Sequence, residues 1–235
     1  MILQRLAKNI RKQDWFAVSI EFVLVIVGVL IALQVDNWND ERNARHKELL
    51  LLDAMRAELA DDLQNMRDGA GQRLEVVRRG KALVAHIDAK HPYDSALDAE
   101  FGLLYRTYTF VVNRAAYENL KAQGVDMISD SRLRHAIVSL YEEDYRNLDY
   151  IIEVEREIIL DILRPHFLAH FRDLRFGLSA TPVDYESLIE NELFRNALDY
   201  RIEALRQADI PRFREIGAKI ESVIEIIDLE LDSSS

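Results

Sequence analysis

The stretch between Trp15 and Trp38 constrains the fold of this chain more than any other part of the sequence. Residues 22–35 within it form an apolar run interrupted only by one glycine and one glutamine. Extended back to Trp15, the run would form a helix about 31 Å long, which matches the hydrocarbon core of a bilayer. Tryptophan prefers the headgroup zone, and one stands at each end. The sequence therefore predicts a transmembrane helix over 15–38, with the lipid bilayer as a partner.

A cleaved signal peptide is the alternative interpretation of this run. The basic residues before it would serve as an n-region, but residues 34–38 lack the small-residue pattern of a cleavage site. We therefore expect an uncleaved anchor. Four basic residues and the α-amine precede the helix, and three basic residues follow it within residues 39–47. The positive-inside rule then predicts a cytoplasmic N-terminus and a C-terminal domain on the opposite side.

One face of the predicted span carries small and polar residues. At 100° per residue, Ala17, Glu21, Gly28 and Ala32 lie close together on the helix surface. A small-xxx-small pair lets two backbones approach closely, so one hypothesis is a helix–helix contact face that carries a single buried acid. The other hypothesis is that Glu21 reaches water at the cytoplasmic interface and that Gly28 is incidental. Both remain open, and we favour the contact face.

Composition predicts that the rest of the chain is helical. The 235 residues include only 4 Pro and 8 Gly, and there is no Cys, which excludes disulfides and thiolate chemistry. A net charge of −11 disfavours nucleic acid as a partner. We expect an all-α protein, in which one N-terminal transmembrane helix precedes an extracytoplasmic antiparallel helical bundle. Its predicted parts are a basic cytoplasmic tail (1–14), the transmembrane helix (15–38), the bundle domain (39–232) and a disordered tail (233–235).

Glycine, proline and capping residues predict the boundaries of the helices. Asp130 and Asp184 are placed to cap the helices that follow them, and Gly124 to end the helix before it in a left-handed conformation. The remaining expectations are helix breaks at Gly69 and Gly71, an extended connector over 107–113, an end or kink at Pro165, a loop over 178–183 and an interruption at Pro211.

Two segments carry a family resemblance. The first is IVGVLIALQVDNWNDER over 26–42, and the second is YENLKAQGVDMISDSRLRHAIVSLY over 117–141. Together they resemble an uncharacterised bacterial family, domain of unknown function 6090, whose members combine a basic tail, a membrane helix and a helical domain. Many relatives carry Glu at the position of Glu21. The resemblance implies a membrane-anchored helical protein and nothing about activity. Together with the orientation that the basic residues predict, the bacterial family places the chain in an inner membrane, with a periplasmic C-terminal domain.

The sequence offers little for catalysis or for a metal. His166 and His170 have the i, i+4 spacing of two zinc ligands, but no third ligand stands out, so packing or surface roles are the better interpretation. Gly-rich phosphate loops, G-x-S-x-G and H-E-x-x-H are absent from the sequence. We expect no enzyme activity and no cofactor.

Three functional hypotheses remain. The leading one is a membrane-anchored interaction or scaffold protein that self-associates and docks a membrane or periplasmic protein. The second is a sensor or small-ligand module, which would need a buried apolar cavity with convergent polar groups. The third is an oligomeric pore lined by the face that carries Glu21. Aromatic residues that could line such a pocket, although packing in an aromatic core is the better interpretation, are Tyr105, Tyr108, Tyr117, Tyr141 and Tyr145.

Overall fold

The computed structural model describes the backbone of residues 15–233 and the side chains of residues 19–233. The predicted tail over 1–14, the side chains of Trp15 and Ala17, and the last two residues of the predicted C-terminal tail lie outside this range. The contacts between residues divide the chain into two compact units, Met1–Leu50 and Leu51–Ser235. Each unit is described by itself.

The described chain is mostly helical, which confirms the predicted all-α class. The α-helices are α1 (Trp15–Asp88), α2 (Leu97–Leu104), α3 (Ala115–Gln123), α4 (Ser131–Ser139), α5 (Tyr145–Glu157), α6 (Arg164–His170), α7 (Tyr185–Ile189), α8 (Glu192–Ala204) and α9 (Ile210–Asp232). A 3₁₀ turn spans Val125–Met127, and π-helical segments span Leu140–Asp144, Ile158–Leu163 and Leu205–Asp209. The π segments join their neighbours into continuous helical runs over 131–170 and 192–232.

The predicted helix break at Gly69 and Gly71 is wrong, because α1 continues past both residues to Asp88. A glycine inside a helix costs only about 1 kcal/mol, which packing on both sides can offset. Gly69 is instead a site of close packing. A Cβ built there would lie 2.5 Å from Cε1 of Phe213, whereas a Cβ at Gly71 would meet nothing within 4 Å.

Neither Pro165 nor Pro211 ends its helical run. The end that was one of the two predictions for Pro165 is therefore wrong, and the kink stays a prediction. At Pro211 the expected interruption takes the form of a π-helical segment and does not stop the helix. Each proline closely follows a π-helical segment, Ile158–Leu163 in one run and Leu205–Asp209 in the other. Proline lacks an N–H and its ring clashes with the carbonyl four residues earlier. A π turn widens the backbone and changes its hydrogen-bond spacing, which lets the helical run accommodate the ring.

The predicted loop over 178–183 is in fact largely a strand. β2 (Ser179–Pro182) pairs antiparallel with β1 (Phe171–Arg175), and the register is irregular between Arg172 and Arg175. α2 packs directly on β2, because a Cβ at Gly102 would collide with the backbone of Ser179. The two strands have only five and four residues and the second ends in a proline, so the sequence carried no clear strand signal for them.

The predicted N-caps at Asp130 and Asp184 are confirmed. The Asp130 carboxylate accepts hydrogen bonds from the backbone N–H groups of Arg132 and Leu133, and the Asp184 carboxylate accepts one from the backbone N–H of Ser187. Gly124 ends α3 as predicted and has a positive φ of 100°, but its ψ of 128° lies outside the left-handed helical region. The segment 107–113 has no regular secondary structure, as predicted for a connector.

The unit Leu51–Ser235 contains two apolar cores. The first joins residues 51–70 of α1 with α3, α4, Tyr141, Tyr145 and α9. The second joins residues 76–87 of α1 with α2, α6, the hairpin and α8. Arg73 lies in the interval of α1 where the helix passes from one core to the other.

Candidate functional site

The N-terminal unit contains an exposed apolar segment. Within the described residues, one helix is long and apolar enough to cross a membrane, by length and composition only, and its apolar window is entirely unburied. Glu21, Gly28 and Ala32 are exposed, and a Cβ at Gly28 would meet nothing within 4 Å. Trp38 is also exposed. This exposure distinguishes the segment from the core helix of a soluble protein.

Four charged side chains are buried together in the second unit, and we name this group the charged layer: Arg73, Glu155, Arg201 and Asp209. Each is at most 5% exposed. On three helical runs the charged residue falls where the run passes between the two cores. Arg73 lies between Ala70 of the first core and Val76 of the second. Glu155 lies in the same way between Ile152 and Ile159. Asp209 lies between Leu205 of the second core and Phe213 of the first.

Glu155 is the centre of the charged layer. Its Oε2 accepts hydrogen bonds from both Nε (3.0 Å) and Nη2 of Arg73, and its Oε1 accepts one from Nη2 of Arg201 at 2.7 Å. Arg73 Nη1 also donates to the carbonyl of Gly69 at 3.2 Å. Charge-assisted bonds of this kind satisfy both oxygens of the buried carboxylate, so Glu155 joins α1 to α8.

Asp209 is less well satisfied than Glu155. Its Oδ2 lies 3.9 Å from Arg73 Nε, which is too long for a hydrogen bond, and this oxygen has no hydrogen-bond partner within the described residues. Burial, together with the nearby charge of Glu155, raises the pKa of Asp209 to about 7, although Arg73 and Arg201 oppose the increase. The ion-pair geometry is therefore too weak to offset desolvation.

An extended segment crosses the surface beside the charged layer, and we name residues 107–112 the strap. Its side chains alternate in exposure: Tyr108, Phe110 and Val112 are half-buried, whereas Thr107, Thr109 and Val111 are exposed. The Arg73 guanidinium lies 5.2 Å from the Tyr108 ring centroid and 4.1 Å from that of Phe213. The Phe110 ring meets the Phe213 ring edge-on at 5.3 Å. The strap is thus held by aromatic contacts next to Arg73.

Grooves lie on both sides of the strap. The first, about 280 Å³, is lined mostly by apolar atoms and lies between the strap and residues 152–160, with Glu155 and Arg156 in its wall. The second, about 360 Å³, is lined mostly by polar atoms and lies between the strap and residues 65–73 of α1. Both grooves therefore reach members of the charged layer.

Carboxylates of α1 fix the far end of the strap. Asp62 accepts hydrogen bonds from the Asn113 backbone N–H (3.0 Å) and from the Tyr145 hydroxyl (2.8 Å), and burial raises its pKa. Glu58 accepts one from the backbone N–H of Ala116 at the start of α3 (3.1 Å). These bonds connect α1 to the N-terminus of α3, which favours negative charge.

The tyrosines named from the sequence do not share one pocket. Tyr117 and Tyr141 stack in the first core with ring centroids 4.3 Å apart, and Tyr145 lies beside them. Tyr105 stacks on Phe167 in the second core. Of the five, Tyr108 alone lines the grooves beside the strap.

His166 and His170 lie on one side of α6, with ring centroids 6.3 Å apart. Burial lowers the pKa of His166, and the neighbouring His170 lowers it further. Nε2 of His170 lies 3.2 Å from Nδ2 of Asn191. Among residues 19–233, no group of three or more His, Cys, Asp or Glu side chains is arranged to hold a metal ion.

No signal in the sequence singled out the charged layer. Glu155 lies among the acidic residues of α5, and nothing local distinguishes the buried carboxylate from the exposed ones. Arg73 lies just after Gly71, where a helix break was expected. The four residues come from three separate helical runs, and tertiary packing brings them together.

These features define a helical protein with an exposed apolar segment near its N-terminus and a helical domain that encloses a charged layer. Residues 21–163 match the sequence profile of a family of unknown function, DUF6090. Because the match covers more than half of the chain, the chain belongs to this family, which confirms the resemblance seen in the sequence. No curated protein and no solved structure matches the chain.

Proposed function

We propose that this chain is a single-span, membrane-anchored interaction protein without catalytic activity. Residues 15–38 would cross a bacterial inner membrane, with residues 1–14 in the cytoplasm. Residues 39–232 would present a periplasmic helical domain to a membrane or periplasmic protein partner.

The observation that carries this proposal is the exposure of the apolar segment. Every described residue from 19 to 35 is exposed, including Phe22, Val25 and Ile31. Burying a side chain of this size in an apolar environment is worth about 1.5–3 kcal/mol. A bilayer supplies that environment. The family match begins at residue 21, inside the segment, so the segment is part of what defines the family.

Membrane fractionation tests the anchor. The native chain is expected to stay in the membrane pellet at alkaline pH. The double variant Val27→Lys/Leu30→Lys places two charges mid-span, each costing about 2.5–3.5 kcal/mol, and is expected to move to the soluble fraction. The matched control Tyr150→Lys/Leu229→Lys changes two exposed apolar residues of the domain and should stay in the pellet. Equal partition of both double variants would overturn the anchor.

We further propose that the face formed by Ala17, Glu21, Gly28 and Ala32 mediates self-association of the membrane helix. Gly28→Ile adds bulk to this face and is expected to weaken self-association in detergent, because close backbone approach is lost. Leu30→Ile lies on the opposite side of the helix and serves as the control. Unchanged mass of the Gly28→Ile complex in detergent would remove this part of the proposal.

A small-ligand module is the second candidate, supported by the apolar groove between the strap and residues 152–160. Its mostly apolar walls and the two charged groups Glu155 and Arg156 have the composition of a ligand site. Native mass spectrometry of the purified chain would then show an added small-molecule mass. Leu160→Trp should remove that mass by filling the groove, whereas Leu168→Trp, at an exposed site outside the groove lining, should retain it. A native chain with no added mass would oppose this candidate.

A further inference from the structure

Two segments of this acidic chain are almost free of acidic residues. Residues 101–115 and 164–183 together contain five arginines and a single aspartate, and neither segment contains Lys or Glu. The whole chain, in contrast, has 41 acidic and 30 basic residues and a net charge of −11. The segments are far apart in the sequence, so their composition can form one surface only where the fold brings them together.

The two segments meet at the turn of the β-hairpin, residues 176–178, which we name the hairpin turn. The Phe176 ring stacks on the Tyr105 ring with centroids 5.7 Å apart. Gly177 has a positive φ of 69°, and a Cβ built there would lie 2.8 Å from Cγ of Arg106. The hairpin turn therefore packs directly on the first segment, through an aromatic stack and through the aliphatic stem of an arginine.

Three guanidinium groups around the hairpin turn are unpaired. Two of the five arginines have an acidic partner within 4 Å, and the other three, Arg106, Arg164 and Arg175, are exposed and have none in the part of the chain that the structure describes. Arg175 immediately precedes Phe176. Burial raises the pKa of Tyr105, and the charge of Arg164 opposes the increase, which places this charge near the Tyr105 ring. Positive charge thus surrounds the aromatic stack.

The hairpin turn also exposes two large apolar side chains. Phe176 is 78% exposed and Leu178 is 59% exposed. Aromatic residues and Arg are the types enriched in protein–protein interfaces, whereas Lys and Glu are depleted there. An anionic lipid surface attracts Lys and Arg alike, but only the Arg guanidinium pairs with a carboxylate through two parallel hydrogen bonds. The composition of this surface therefore favours a protein partner over lipid.

We propose that the hairpin turn docks an acidic segment of a partner protein. Carboxylates of that segment would pair with the guanidinium groups of Arg106, Arg164 and Arg175, and one of its apolar side chains would pack on the exposed Phe176 ring. Charge complementarity identifies the partner's chemistry, because unpaired positive charge is concentrated here in a chain that is acidic elsewhere. The proposal rests on the proposed interaction function and adds to it the surface and the class of partner.

Site-specific photo-cross-linking of the full chain in its native host cells tests the occupant. The benzophenone amino acid p-benzoylphenylalanine replaces Leu178 in one strain and Thr107, beside Arg106, in a second. Mass spectrometry of the cross-linked product is expected to identify a segment of another protein with an excess of Asp and Glu. A phospholipid adduct, a second copy of this chain, a segment without that excess, or no adduct at either position would overturn the proposal.

Charge reversal tests whether the arginines recognise the segment. The double variant Arg106→Glu/Arg175→Glu should lower the yield of the adduct several-fold. The matched control Arg132→Glu/Arg146→Glu makes the same change in net charge at two exposed arginines elsewhere in the unit and should preserve the yield. Equal losses in both double variants would refute the role of the arginines. The milder pair Arg106→Gln/Arg175→Gln repeats the test if circular dichroism shows that the reversed pair melts at a lower temperature.

A synthetic peptide of the captured segment then measures the contact with the purified chain in detergent. Its affinity should fall with rising NaCl concentration, because exposed ion pairs are screened. Arg175→Lys, which keeps the charge and loses the paired hydrogen bonds, and Phe176→Ala should each weaken binding several-fold. An affinity that is insensitive to salt and to both substitutions would contradict the proposed contact.

A control position separates this surface from the interaction function itself. Leu229 on α9 is 70% exposed, and it takes the same photo-cross-linker. A protein captured from Leu229 and from neither position beside the hairpin turn would overturn the docking surface but leave the proposed interaction function standing. Capture at the hairpin turn alone is the expected result.

Discussion

Gly69 and Gly71 are two residues apart in α1, yet their surroundings differ completely. A Cβ at Gly69 would lie 2.5 Å from the Phe213 ring, which is itself fully buried against Arg73 and Phe110. A Cβ at Gly71 would meet open space. A single helix therefore carries one glycine that packing requires and one that it does not.

This difference predicts opposite effects of alanine at the two positions. Gly69→Ala should lower the free energy of unfolding by about 1–3 kcal/mol, because the buried Phe213 ring would have to shift from its contacts with Arg73 and Phe110. Gly71→Ala should raise it by about 0.5–1 kcal/mol, because alanine favours the helix. Chemical unfolding of the full chain in detergent measures both. Equal effects of the two substitutions would contradict the packing role of Gly69.

Asp209 makes the stability of the domain depend on pH. Its pKa in the fold, about 7, exceeds the ordinary 3.8, so the fold favours the protonated carboxyl. The stability that this preference contributes is fully present below the unfolded-state pKa and is lost as the pH rises through the folded-state value. The loss amounts to up to about 4 kcal/mol, from about 1.36 kcal/mol per pKa unit.

Asp209→Asn tests this dependence, because asparagine stays neutral at every pH. The variant should unfold at a higher denaturant concentration than the native chain at pH 8, with the advantage shrinking toward pH 5. Asp61→Asn, at an exposed position of α1, should follow the native chain throughout. Parallel pH profiles for Asp209→Asn and the native chain would refute the assignment.

At the scale of elements, one carboxylate joins three helical runs. Glu155 on α5 receives hydrogen bonds from Arg73 on α1 and Arg201 on α8. Two positions earlier, Glu153 pairs with Arg156 on the exposed surface of the same helix. The two glutamates lie on the same helix, but Glu155 is buried and Glu153 is exposed.

Glu155→Ala should therefore be far more damaging than Glu153→Ala. Removing Glu155 leaves two buried guanidinium groups without their main counter-charge, which is expected to cost about 3–5 kcal/mol. Glu153→Ala removes an exposed pair and should change stability little. Thermal unfolding followed by circular dichroism measures both. Similar melting temperatures for the two variants would show that the charged layer does not hold the helices together.

At the scale of the whole molecule, the proposed membrane anchor raises the question of which side of the membrane the domain would occupy. The excess of basic residues before the apolar segment predicts a periplasmic domain. A reporter that is active only in the cytoplasm, fused after Ser235, should be silent. The same reporter fused to a variant that carries Arg5→Glu, Lys8→Glu, Arg11→Glu and Lys12→Glu should gain activity, because the charge bias is reversed. Activity of the unmodified fusion would reverse the proposed orientation.

The helical class, the capped helix starts and the connector could be predicted from the sequence, because each depends on residues close together in the chain. Asp130 and Asp184 cap helices within three residues of their own positions. The sequence did not predict that the helical backbone would continue through Gly69, Pro165 and Pro211, for the complementary reason. At Gly69 the packing of Phe213 decides that the helix continues, and at the two prolines the preceding π-helical segment does. Neither cause can be read from the preference of the glycine or proline itself.

What the sequence alone determined is the apolar segment, the family and the helical class, because hydropathy and periodicity are sums over neighbouring residues. Only the tertiary structure decided which charges are buried and which remain free. Glu155 is buried because α1 and α8 pack around it and bring arginines to it, whereas Glu153 on the same helix stays exposed although it has an arginine partner. Burial and pairing depend on contacts between residues far apart in the chain, and these contacts are set by the packing of the two cores.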